Sequence, residues 1–137
     1  MSFEYSLLSA KLLLVDNDLF FIEVLKKHLI KEGIKEFQST TNVDNAKSLI
    51  INFQADILLL NAILPDGSGM ELCSHLRQRG FEKPIIMLIE NYNQNHSIDG
   101  LNSGANDYIA KPIRINDLFS RINFQLRQYN LITVSYT

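Results

Sequence analysis

ILLLNAILPDGSG, residues 57–69, begins as an apolar run and ends as a turn. Four consecutive aliphatic residues, Ile57 to Leu60, bounded by Pro65 and a Gly-Ser-Gly cluster, have the make-up of a strand buried on both faces. Such strands belong to parallel sheets covered by helices on each side. In an open sheet of that kind, chemistry sits just past the carboxyl ends of the strands. Asn61 stands at such an end, a neutral amide where a carboxylate would be able to act.

The pattern repeats outward from this run. Lys11 to Val15 is a second fully apolar strand and stops at Asp16-Asn17-Asp18. Leu19 to Glu32 carries Phe21, Ile22, Leu25 and Leu29 at helical spacing, with Gly33 as its stop. Phe37 to Thr40 reads as a weaker strand and Val43 to Asn52 as a helix. After the opening stretch come a helix over Gly69 to Arg79 closed by Gly80, a strand over Pro84 to Ile89, and a polar helix over Asn93 to Ser103 ended by Gly104. Asp107 to Ala110 is a short strand, Lys111-Pro112 a turn, and Ile115 to Gln128 a last helix burying Leu118, Ile122 and Leu126. Strand and helix alternate five times, which predicts an α/β fold: a doubly wound, five-stranded parallel sheet with helices on both faces. The strand order 2-1-3-4-5 is borrowed from known flavodoxin-like sheets and not read from the residues; in it the first and third strands are neighbours. Right-handed crossovers then carry Asp16, Asn17, Asn61, Ile89 and Lys111 to one edge.

The chain has 137 residues, 46% of them hydrophobic and 20% charged, which fits one soluble domain with a single core. With a formal charge of -2 and no long run of one sign, nucleic-acid binding through a strong basic field is not indicated. One cysteine, Cys73, excludes an internal disulfide and reads as a small core residue. No apolar stretch has membrane-spanning length, and no basic start with a long apolar core marks a secretory signal. A cytoplasmic location is the expectation. The domain is expected over residues 11–128, after an N-terminal arm at 1–10 and before a tail or linker start at 129–137. In that tail Leu131 to Tyr136 (LITVSY) is apolar and β-prone.

Four stretches together, LLLVDND (12–18), LLLNAILPDGSG (58–69), PIIMLIE (84–90) and GLNSGANDYIAKP (100–112), resemble a response-regulator receiver domain over roughly residues 10 to 128. The resemblance implies a module of two-component phosphorelay signalling, not an enzyme. In that family the first strand ends in two acids that organise Mg²⁺, and the third in an aspartate that accepts a phosphoryl group from a histidine kinase. The fourth ends in a threonine or serine, and a lysine precedes a proline after the fifth. By resemblance Asp16 takes the first acid position and Asn17 the second, the direct metal ligand. Asn61 takes the acceptor position, Ile89 and Tyr108 the two switch positions, and Lys111 the lysine. The same resemblance implies a cis Lys111–Pro112 bond.

Three departures point one way. An amide has a delocalised nitrogen lone pair and cannot replace the anionic nucleophile. Mg²⁺ prefers carboxylate oxygens, and Asn17 and Asn61 remove two of them. Ile89 brings no hydroxyl to a phosphate oxygen. What remains is one acid, Asp16, and one base, Lys111, whose charges cancel; Asn17 and Asn61 are able to bridge them. The expectation is a self-neutralised pseudo-receiver that binds a protein partner (a histidine kinase or a linked output domain) without phosphorylation. No metal is expected and Mg²⁺ binding is expected to be weak or absent. Nucleic acid, membrane and small-molecule substrates are not expected.

Two alternatives stand beside it. One is a phosphoacceptor domain using Asp16 or Asp18, although Asp18 directly before Leu19 is better read as a helix cap. The other is a small nucleotide-binding or enzymatic domain on the same flavodoxin-like plan, which lacks a Gly-rich loop after Val15. Asp66 beside Gly67 reads as a turn residue. His96 reads as a solvated helix residue, and Phe3, Tyr5, Leu7 and Leu8 as an arm that either packs on the domain or stays loose.

Overall fold

The computed structural model describes residues 9–90, 99 and 102–135, with side-chain burial as far as residue 129. Among the described residues seven strands follow in chain order: β1 (Leu12–Val15), β2 (Phe37–Thr40), β3 (Ile57–Asn61), β4 (Ile63–Leu64), β5 (Gly67–Ser68), β6 (Ile85–Glu90) and β7 (Asp107–Lys111). The helices are α1 (Leu19–Lys31), α2 (Val43–Phe53), α3 (Gly69–Gln78) and α4 (Ile115–Ser135). The five-stranded sheet has the order β2-β1-β3-β6-β7, and all its pairings are parallel. That is the 2-1-3-4-5 order expected of the five sequence-predicted strands. The predicted helix over Asn93 to Ser103, with His96, and the N-terminal arm through Leu8 lie outside the described residues, save positions 99, 102 and 103.

Alternation along the strands divides the core into two layers. Leu12, Leu14, Ile57, Leu59, Ile86 and Leu88 pack against Leu25 and Leu29 of α1 and Leu118, Ile122 and Leu126 of α4. Leu13, Val15, Leu58, Leu60, Ile85 and Met87 pack on the other face, with Ala46 and Ile50 of α2 and Leu72 and Cys73 of α3. Both faces of β1 and β3 are covered, so each of these strands is an uninterrupted aliphatic run. Cys73 is free and buried in the second layer. Burial pushes its thiol pKa up, against a smaller lowering effect of Ser103 and Arg77.

Helix starts follow their capping residues. Asp18, Asn42 and Ser68 accept hydrogen bonds from the backbone N–H of Phe21, Asn45 and Glu71 respectively. Asp18 is thus the cap of α1, as its place before Leu19 suggests.

The structure corrects two readings. The turn after Asn61 closes into a small hairpin, in which Ile63 pairs with Ser68 and Leu64 with Gly67. Asp66 at its tip does more than turn: its Oδ1 accepts the Val43 N–H at 2.8 Å and its Oδ2 the Asp44 N–H at 3.3 Å, tying the hairpin to the start of α2. The C-terminal stretch read as β-prone is helical as far as Ser135. Residues 115–135 contain no Gly or Pro, and extending a formed helix costs little even through β-branched residues.

Candidate functional site

Parallel strands and one direction of crossover bring Asp16, Asn61 and Lys111 together at the carboxyl edge of the sheet. Asp16 follows β1, its backbone N–H held by the Thr40 carbonyl at 3.0 Å, and its side chain is 0% exposed. Asn61 ends β3, in register between Leu88 and the residue after Val15, and is 7% exposed. Lys111 ends β7, and its peptide bond to Pro112 is cis, as the resemblance implied.

These side chains satisfy one another. Asp16 Oδ1 accepts the Asp18 backbone N–H at 2.9 Å and the Asn61 Nδ2 at 3.1 Å. Asn61 Nδ2 also donates to Asn17 Oδ1 at 3.2 Å. The amide is oriented by its surroundings, since both neighbouring oxygens are acceptors. Lys111 Nζ lies 2.9 Å from Asp16 Oδ2. That contact is an ion pair without an aligned hydrogen bond, so the second carboxylate oxygen is compensated by charge alone. The Lys111 side chain is 17% exposed and its ammonium also sits 5.8 Å from the centre of the Phe21 ring. A buried carboxylate is costly unless paired and hydrogen-bonded, and here it is both.

The other sequence-nominated positions bring no side-chain polar group into these contacts. Ile89 is buried in the apolar layer over α2 and α3 and brings no polar group to the cluster. Tyr108 lies on the edge strand β7, about a third exposed, where its carbonyl accepts from Arg121 Nη1 at 3.1 Å. Asp18 spends its Oδ1 on the Phe21 N–H at 3.0 Å. Helical periodicity places Phe21 on the core stripe of its helix. Its place beside Lys111 comes from α1 crossing the sheet edge, which periodicity alone does not show.

Gly69 fixes the floor of the site. Its N–H donates to the Ala62 carbonyl at 2.9 Å, and a Cβ there would collide with the Asn61 carbonyl oxygen. The sequence marks this residue as a turn glycine and helix start, and does not show its approach to the Asn61 carbonyl. Its close approach to the end of β3 holds Asn61 against α3.

As chemistry, the cluster offers one carboxylate, one ammonium and two amides. Among the described residues no group of three or more His, Cys, Asp or Glu is placed to hold a metal ion. No helix of the described residues is long and apolar enough to cross a membrane.

Solved receiver domains share this fold. The chain is 27% identical to the receiver domain of the Francisella response regulator 1452, covering 88% of this chain and 98% of that one at a TM-score of 0.80. It is 29% identical to the BeF3-activated receiver domain of Klebsiella pneumoniae RstA, with coverages of 85% and 98% and a TM-score of 0.79. A CheY-like receiver domain protein from Methanospirillum hungatei is similar at 28% identity, with coverages of 87% and 94% and a TM-score of 0.79. The family model for the response regulator receiver domain matches residues 12–123, the whole five-stranded sheet, α1 to α3 and the first part of α4. The chain belongs to the response regulator receiver domain family, the signalling module of two-component systems.

Proposed function

We propose that this receiver domain signals by protein contact and takes no phosphoryl group at Asn61. One observation carries the reading: Asn61 donates to Asp16 Oδ1 while Lys111 neutralises Asp16 Oδ2. The position that holds the nucleophile in the family is here a hydrogen-bond donor to the remaining acid. Phosphoryl transfer relies on a metal to neutralise the moving charge and on an anionic acceptor. The donor set does not fit Mg²⁺. Its single buried carboxylate is already matched by an ammonium, and Asn61 turns an N–H rather than an oxygen toward the acid.

The test is incubation with a small phosphodonor and Mg²⁺ followed by intact mass. The expected result is an unchanged mass; a stable phosphoryl adduct on an aspartate overturns the reading. The alternative acceptor, Asp16 or Asp18, is disfavoured because Asp16 is buried in its ion pair and Asp18 caps α1. The Asn61→Asp variant is expected to remain poorly labelled, because Asn17 still leaves the metal one carboxylate short. An enzymatic role ranks last, since nothing in the cluster pairs a nucleophile with a base.

The partner is a protein, either a histidine kinase or a linked output domain, met in the cytoplasm. A pull-down with the chain, with and without phosphodonor, is expected to recover the same partner in both arms.

A further inference from the structure

We infer that the hollow between α1 and the turn after β7 binds a small organic cation with an apolar body. The hollow has a volume of about 400 Å³. Phe20, Phe21 and Val24 of α1 form one wall and Ile113 stands across from them; Asp18, Glu90 and Lys111 supply the charges. Concave sites of this size, mostly apolar with a few placed polar groups, are typical of small-ligand pockets rather than flat protein contacts.

The sign of the ligand follows from which charges are already matched. Among the described residues Lys111 is the one cation of the lining, and its ammonium is committed to Asp16. Asp18 and Glu90 enter none of the ion pairs among the described residues. Asp18 gives one oxygen to the α1 cap, which offsets the positive end of that helix, and Glu90, the strand neighbour of Lys111, is the acid left without an ion pair among the described residues. The aromatic wall suits a cation as well. Phe21 already carries the Lys111 ammonium at 5.8 Å, and Phe20 is 78% exposed, with its ring free to take a second one. An acid beside an open aromatic face, at the mouth of an apolar hollow, fits an alkyl- or aryl-ammonium group.

The probe is phenethylammonium, with phenethyl alcohol as its neutral counterpart, each titrated into the chain and followed by backbone amide NMR. Saturable shifts at Phe20, Glu90 and Ile113 are expected, with the cation on the order of tenfold tighter than the alcohol. Glu90→Gln should erase that preference, and Phe20→Ala should weaken both probes, at unchanged thermal melting. Equal binding of the alcohol, no saturable shift, or a preference that survives Glu90→Gln overturns the assignment. So does binding seen only with a basic peptide, which would make the hollow a protein-docking surface instead.

Discussion

Lys111 and Arg77 are both partly buried cations, and the chain uses them in different ways. Lys111 faces a single carboxylate that is fully buried. Arg77 faces neutral oxygens: its Nε donates to the Gly104 carbonyl at 2.9 Å, and its Nη1 to the carbonyls of Phe81 and Lys83 at 2.7 and 2.8 Å. Its Nη2 donates to Asn106 Oδ1 at 2.8 Å, and the same oxygen accepts the Ile85 N–H. Burial pushes the Arg77 pKa down, with Cys73 and Glu82 opposing. Arg77 thus fastens α3 to the loops before β6 and β7 by completing backbone hydrogen bonds. Lys111 completes no backbone; it cancels a charge. One cation serves the scaffold, and the other closes a site that the scaffold presents.

The comparison breaks most visibly at Lys111. Lys111→Met keeps much of the side-chain stem but strands a buried carboxylate, and is expected to cost about 3 kcal/mol in urea denaturation. Adding Asp16→Asn should recover much of that loss, since the unpaired charge then disappears. If Lys111→Met alone proves neutral, the ion pair is not what holds the pocket closed. Arg77→Met should cost less, about 2 kcal/mol, because backbone carbonyls near a surface loop recover some water. Arg77→Lys should restore only part of it, since an ammonium lacks the fork that spans Gly104, Phe81 and Asn106. Gly104 sharpens the point: it adopts φ +111°, and a Cβ there would meet Arg77 Cγ at 2.6 Å. The loop is shaped to the guanidinium.

The surface gives a third, weaker case. Arg121 bridges both oxygens of Asp107 at 3.0 Å and Asp117 Oδ1 at 3.0 Å, and its side chain is 38% exposed. Arg121→Ala should cost below about 1 kcal/mol, and added salt should shrink the difference further. Smallest of all is Asp66. The Val43 N–H, foremost, and the Asp44 N–H hold its carboxyl below its usual 3.8, against some desolvation. A folded pKa below the unfolded one adds stability that is complete above about pH 4 and is lost as pH falls through the folded value. Thermal melts of Asp66→Asn and the parent chain should therefore converge in acid and separate slightly at neutral pH.

Most of the fold was legible because β1, β3 and β6 are buried on both faces and leave unbroken aliphatic runs. The strand order came by family resemblance and is the one observed. The convergence of Asp16, Asn17, Asn61 and Lys111 was legible for the same reason: strand ends are easy to find when strands are. What was not legible depends on neighbours distant in sequence. Nothing near Asp66 announces that it will cap a helix starting at Val43, and nothing near Phe21 announces an ammonium over its ring. Nothing near Arg77 announces its acceptors, which lie in two separate loops. The C-terminal helix was cut short because Ile132, Thr133 and Val134 favour strands, while helix continuation is decided by the turns before them.

Magnesium titration of the unmodified chain, followed by backbone amide NMR, addresses the account most directly. If Asp16 and Lys111 already cancel and Asn61 donates rather than accepts, millimolar Mg²⁺ should leave the signals of Asp16, Asn17 and Asn61 in place. Saturable shifts at those three residues would contradict the account.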